Sequence, residues 1–129
     1  MRTELIEAAR AVCGEFTLRE KWCFAGTVGA ALRTRGGAIY TGISIDLGCG
    51  LGFCAEVAAI AEMLKNRETR IDTIVAVTPN RILPPCGRCR ETMVQLDRAN
   101  LRTKVIISET QNVLLGDLLP DHWLDGGTI

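Results

Sequence analysis

The stretch LGCGLGFCAEVAAIAEMLKN, Leu47 to Asn66, decides the fold. Its first seven residues, Leu47 to Phe53, form a glycine-rich loop whose bare backbone can approach something closely. From Cys54 to Asn66 the residues are mostly Ala, Glu, Met and Leu, so a strong helix opens directly from that loop. Upstream, Gly26 to Arg33 and Ala38 to Asp46 read as paired strands across a turn at Arg35-Gly36-Gly37. Downstream, Ile71 to Thr78 is short, apolar and rich in Val and Ile, the pattern of a buried central strand. Pro79 to Pro85 is loop, because Pro84-Pro85 fits neither a helix interior nor a central strand. A helix then opens near Cys86 and runs to about Ala99, Lys104 to Ser108 is a strand, and Val113 to Leu119 a short last helix.

At the other end, Thr3 caps a first helix, with Glu4 and Glu7 in its opening turn and an apolar stripe of Leu5, Ile6, Ala9, Val12 and Cys13. The order α-β-β-α-β-α-β-α predicts a three-layer α/β/α sandwich around one mixed sheet of about five strands. Its 129 residues are the size of one domain, spanning residues 1–129, and 47% hydrophobic residues with a mean hydropathy of +0.17 supply a core.

Composition excludes several classes. Charged residues are 23% and spread along the chain, which argues against disorder. No apolar run approaches the roughly 20 residues of a membrane span; Leu51 to Leu64 is interrupted by Glu56 and Glu62. The acidic start, Arg2-Thr3-Glu4-Leu5-Ile6-Glu7, does not read as a signal peptide, so a cytoplasmic, reducing location is expected. Fifteen basic and fifteen acidic residues, with no basic run, argue against a nucleic acid polymer. Three Phe, two Trp and one Tyr are too few for a base-stacking platform.

Six cysteines in a reducing setting read first as metal ligands. They stand at positions 13, 23, 49, 54, 86 and 89, and only Cys86 and Cys89 form a Cys-x-x-Cys. Cys54 and Cys86 each open a helix, where free N–H groups and the dipole favour thiolate. Cys86 and Cys89, three apart, share a helix face. If the first of these helices points its N-terminus at the same place, Cys54 is the third ligand. Three protein ligands leave one tetrahedral position open, the mark of a catalytic zinc, which lowers the pKa of water held there. Glu56 is close enough to reach that water without ligating the ion, and is the candidate general base and then general acid.

With Cys54-Ala55-Glu56 and Pro85-Cys86-Gly87-Arg88-Cys89 in place, the chain resembles the cytidine deaminase superfamily. The resemblance extends to Val28-Gly29-Ala30-Ala31-Leu32 and Thr41-Gly42, covering most of residues 25–98. It implies a Zn2+ enzyme in which water attacks C4 of a cytosine ring and ammonia leaves, with the stretch from Pro85 and the Ala55 segment facing the substrate. Cys54 in place of His fits the free-nucleoside branch better than the polynucleotide-editing branch. Many relatives place Arg after the catalytic Glu, but here Val57 stands there. Three thiolates on a divalent ion leave a net −1, so Arg90 is expected to hydrogen-bond a ligand sulfur and offset it together with the helix dipoles.

The nucleoside enzymes hold the sugar with Asn-x-Glu after Thr-Gly; Ser44 and Asp46 are the shorter counterparts here. Pro85 to Arg90, an Asn80-Arg81 pair before it, and Leu118-Leu119-Pro120-Asp121-His122-Trp123 resemble the blasticidin S deaminase branch, which implies substrate contacts from Arg81 and Trp123. The implied reaction is deamination of a 4-aminopyrimidine nucleoside or analogue, of the cytidine, deoxycytidine or blasticidin S type. Other readings are a deaminase of another amino-heterocycle, a zinc-binding paralogue without turnover, and a redox or metal-storage protein. The resemblance further implies a homotetramer, alternatively a homodimer, to which the apolar Ala58-Ala59-Ile60-Ala61 could contribute.

Plainer assignments compete at other positions. Cys13 and Cys23 read as small core residues, and Cys49 as either packing or pocket. His122 reads as a surface side chain near the chain end. Arg81 competes with a solvated loop residue, Trp123 with a packing lid, and Phe24 and Phe53 with core.

Overall fold

The computed structural model describes residues 2–126. Helix α1 (Arg2–Val12) turns Leu5, Ile6 and Ala9 inward, while Val12, at the end of the expected stripe, is exposed. After the two-residue strand β1 (Phe16–Thr17), β2 (Phe24–Thr34) and β3 (Ile39–Asp46) pair antiparallel. Their connection needs Gly37, whose φ of +96° is costly for a side-chain-bearing residue. Helix α2 (Ala55–Lys65) follows, then β4 (Ile71–Val77), antiparallel to β2 on the side away from β3. The short β5 (Ile82–Leu83) pairs with the end of β4, inside the segment expected to be all loop. Helix α3 (Gly87–Leu96) crosses to β6 (Lys104–Ile106), which lies parallel to β4. The chain then turns back through β7 (Asn112–Leu114), α4 (Leu115–Leu118) and a 3-10 turn at Trp123–Gly126.

The sheet is therefore mixed, with seven strands. Five form its width, in the order β3-β2-β4-β6-β7, and β1 and β5 are two-residue additions too short to announce themselves by alternation. Helices cover both faces. On one, α1 sets Leu5, Ile6 and Ala9 against Ala31, Val75, Val77 and Ile106. On the other, Ala59, Ile60 and Met63 of α2 and Met93 of α3 meet Leu32, Ile71, Ile74 and Val105. Ala59 and Ile60 thus face the chain's own core, so half of the stretch considered for assembly points inward.

Three local expectations are corrected. Helix α3 stops at Leu96 rather than Ala99, because Asp97 adopts φ −166°, ψ 120° and its carboxylate accepts from the Ala99 N–H at 2.9 Å, capping a separate 3-10 helix, Arg98–Arg102. The last helix begins at Leu115, since residues 112–114 pair with β6 instead. His122 is buried, with Nε2 3.3 Å from Asp125 Oδ1, where the segment after α4 meets α3 through the Trp123 N–H and Glu91.

The helix α2 can lie tightly on β3 because Gly42 has no side chain. A Cβ there would come within 2.5 Å of the Ala59 nitrogen and 2.6 Å of the Ala55 oxygen. That close approach sets the position of the α2 N-terminus, and with it Cys54.

Candidate active site

Cys54 and Cys86 are the residues immediately before α2 and α3, both extended (φ −75°, ψ 152° and φ −72°, ψ 171°), and Cys89 lies in the first turn of α3. The two helix N-termini converge. The Sγ atoms of Cys54, Cys86 and Cys89 all lie within 4.8 Å of one another, with Cys54 to Cys86 at 3.1 Å and Cys86 to Cys89 at 3.7 Å. Sulfurs about 2.3 Å from one tetrahedral zinc stand roughly 3.8 Å apart, so the spacing fits a shared ion. The donor chemistry fits as well. Burial pushes the Cys54 thiol up to about 11 and the Cys89 thiol further still. Burial also opposes ionisation of Cys86, but hydrogen bonds from Cys54 and from the Cys89 N–H hold it below the usual thiol range. A divalent cation among the three is what allows all of them to be thiolates together.

Beside the sulfurs opens a cleft of about 600 Å3. Glu56 lines it and is itself buried; burial raises its carboxyl above the ordinary range. Ala55, fully buried, forms part of the same wall. Pro85, expected to face the substrate, lies outside the cleft lining and instead lines a small hollow with Glu56, Ile74 and Val105. Ser44 and Asp46 both line the cleft, in different states. The Ser44 Oγ is buried and accepts from the Val28 N–H at 3.0 Å, while Asp46 stands exposed at the end of β3. Phe53, Leu83 and Pro84 supply apolar wall, and Thr27 and Val28 complete it from β2.

Besides Pro85, three expected contacts are placed elsewhere. Arg90 donates to the carbonyls of Pro85 (2.7 Å) and Leu118 (3.0 Å), bracing the loop before α3 against α4 rather than a ligand sulfur. Arg81 is exposed and outside the cleft lining; its N–H closes a turn onto Thr78 Oγ1 at 3.1 Å. Trp123 also lies outside the lining, 52% exposed, its N–H held by Glu91 Oε1 of α3 at 3.1 Å. Among the described residues, the cation on the cleft wall is Arg88, whose Nη1 donates to the Gly52 carbonyl at 3.3 Å. Arg88 and Arg90 flank Cys89 equally in sequence; about 100° per helical residue sends them to different sides, and that phase was the signal available.

Other cysteines take quieter places. Cys13 is half-buried with its thiol toward the Thr27 and Val77 carbonyls, Cys23 is half-buried, and Cys49 is exposed on the loop outside the lining. All six are free thiols. No helix among the described residues is long and apolar enough to cross a membrane.

The chain matches the family model described as cytidine and deoxycytidylate deaminase zinc-binding region over residues 4–106. It is 33% identical over 99 residues to a cytidine deaminase of Halalkalibacterium halodurans, covering 72% of this chain and 74% of the relative. Over a shorter stretch, 74 residues, it is 39% identical to a blasticidin-S deaminase of Bacillus cereus, about half the length of each (50% and 53%). Among solved structures, a cytidine deaminase from Mycobacterium tuberculosis superposes with a TM-score of 0.79 at 25% identity, covering 95% of this chain and 96% of that one. One from Burkholderia pseudomallei gives 0.77 at 27%, covering 95% and 99%.

Proposed function

The chain belongs to the cytidine and deoxycytidylate deaminase family of zinc-dependent hydrolases, and on that premise we propose that it hydrolyses the amino group of a 4-aminopyrimidine nucleoside or analogue, of the cytidine, deoxycytidine or blasticidin S type. The observation that carries the reading is the buried carboxyl of Glu56 on the wall of a cleft that also exposes Cys54 and Cys86. Cys54, Cys86 and Cys89 are the residues that would hold zinc, which when bound supplies the Lewis acidity that makes water a nucleophile near neutral pH.

The chain's own residues then divide the work. Glu56 takes one proton from the attacking water and gives it to the ring nitrogen N3 as the C–O bond forms at C4, then carries the remaining hydroxyl proton to the amino nitrogen, so that the C–N bond breaks, a C4 carbonyl is left and ammonia departs. Its raised pKa suits both halves of that task. Phe53, Leu83 and Pro84 exclude water from the ring, and Asp46, on the cleft lining, accepts a hydrogen bond from a sugar hydroxyl. Arg88 and the N-termini of α2 and α3 offset the thiolate charge.

The reading takes the chain as one catalytic domain acting in the cytoplasm, a setting that suits six free thiols. It includes a homotetramer. Trp22, Leu51 and Phe53 are 57%, 76% and 38% exposed, an apolar surface around the glycine-rich loop that a neighbouring copy would cover. Light scattering should then give about four times the 14.0 kDa chain mass, and a monomer mass rejects that assembly.

An ammonia-release panel with cytidine, deoxycytidine, cytosine and blasticidin S tests the reaction. Glu56→Ala should keep about one zinc per chain while turnover falls by about 10²–10⁴-fold. Wild-type protein without stoichiometric zinc, or an active Glu56→Ala, overturns the reading.

A further inference from the structure

One wall of the cleft is shaped by a defect in the sheet. The β2–β3 pairing slips between Ala25 and Gly29, and this bulge turns Thr27 and Val28 toward the cleft. The segment between α1 and β1 grips the bulge from outside. Gly14 donates to the Gly26 carbonyl at 2.8 Å, and Gly26 has φ +85° with no room for a Cβ, which would sit 2.2 Å from the Gly14 oxygen. The Cys13 thiol approaches the Thr27 carbonyl at 3.6 Å, and the Thr27 hydroxyl donates to Glu15 Oε1 at 2.8 Å. Thr27 is therefore held at both its carbonyl and its side chain.

A threonine hydroxyl has one proton and two lone pairs. The carboxylate of Glu15 is acceptor-only, so it takes that proton, and what Thr27 has left to offer is its lone pairs. Ser44, by contrast, spends a lone pair on the Val28 N–H and keeps its own proton to give. Asp46 adds a second acceptor to the lining of the same cleft. Resting on the deaminase reading, we propose that Glu15, outside the cleft lining, is a positioning residue for substrate selection. By fixing the Thr27 hydroxyl as a donor to itself, it makes this wall accept a hydrogen bond from a hydroxyl of the substrate's sugar.

The test compares kcat/KM of the zinc-loaded enzyme for cytidine and its 2′-, 3′- and 5′-deoxy analogues. Thr27→Val removes the acceptor and should cut the wild-type preference for cytidine over one of these analogues about fivefold, the range of one neutral hydrogen bond. Glu15→Ala should reduce the preference against that same analogue by twofold or more, expressed in KM rather than kcat. Glu15→Gln, which keeps an acceptor oxygen, should restore it. The proposal is overturned if Glu15→Ala slows all four substrates by one factor, alters the preference against a different analogue, or leaves it as in wild type. Absence of ammonia from every substrate instead overturns the deaminase reading. Calorimetric titration of the same proteins with uridine and its deoxy analogues then decides the role of Glu15, an equal effect of Glu15→Ala on all of them rejecting it.

Discussion

Arg88 and Arg90 separate position in sequence from position in space. They flank the proposed ligand Cys89, yet one lies on the cleft wall against the Gly52 carbonyl and the other ties Pro85 to Leu118. Their alanine variants should therefore differ in kind. Arg90→Ala removes two charge-assisted hydrogen bonds to carbonyls and should cost about 1–3 kcal/mol in urea unfolding. Arg88→Ala should leave the unfolding midpoint nearly unchanged while lowering deamination by about tenfold or more, through loss of a positive charge from the cleft wall. Equal stability losses from the two would show that Arg88 is structural. The ligand triad was legible in the chain because Cys54-Ala55-Glu56 and Pro85-Cys86-x-x-Cys89 each carry their meaning in local spacing. The proposed roles of Arg88 and Thr27 were not, since they depend on helix phase and on a bulge whose register only pairing with β3 defines.

Among the elements, β2, β4, α2 and α3 were readable because each is long or strongly patterned, and α4 was expected but begins two residues later, whereas β5 and β7 are two and three residues long and owe their form to neighbours. The junction of α2 with β3 is where sequence and site meet. Gly42 packs under Ala55 and Ala59, so any Cβ pushes the first turn of α2 outward, carrying Cys54 with it. Gly42→Ala should cost about 1–3 kcal/mol, the usual range for overpacking a tight core contact. It should also weaken zinc retention against a chelator, because Cys54 moves relative to Cys86 and Cys89. Wild-type zinc affinity in a destabilised Gly42→Ala protein would mean that the α2 N-terminus is positioned by something other than this contact. In the opposite case, where neither property changes, the helix slides freely over β3 and the close approach has no consequence.

At the scale of the whole molecule, the question is whether the metal makes the fold or only joins two parts of it. The clusters on the two faces of the sheet are closed by α1 on one side and by α2 and α3 on the other, and neither contains a proposed ligand. The three cysteines lie at the ends of α2 and α3, outside these clusters, as in a catalytic rather than a structural site. Zinc removal should therefore leave a folded, cooperatively melting protein, unlike a zinc finger, which unfolds without its ion. It should still lower Tm, because the ion binds only the native arrangement. At free zinc about 100 times its dissociation constant, the added stability is about 2.7 kcal/mol, equivalent to roughly 10 °C for a domain of this size. Differential scanning calorimetry with and without chelator measures that shift. Cys89→Ala should melt at one temperature in both conditions, and Glu56→Ala, which keeps all three sulfurs, should retain the full shift. A chelated wild type with no cooperative transition would make the metal a folding element, and the separation of core from site drawn from the buried clusters would then be wrong.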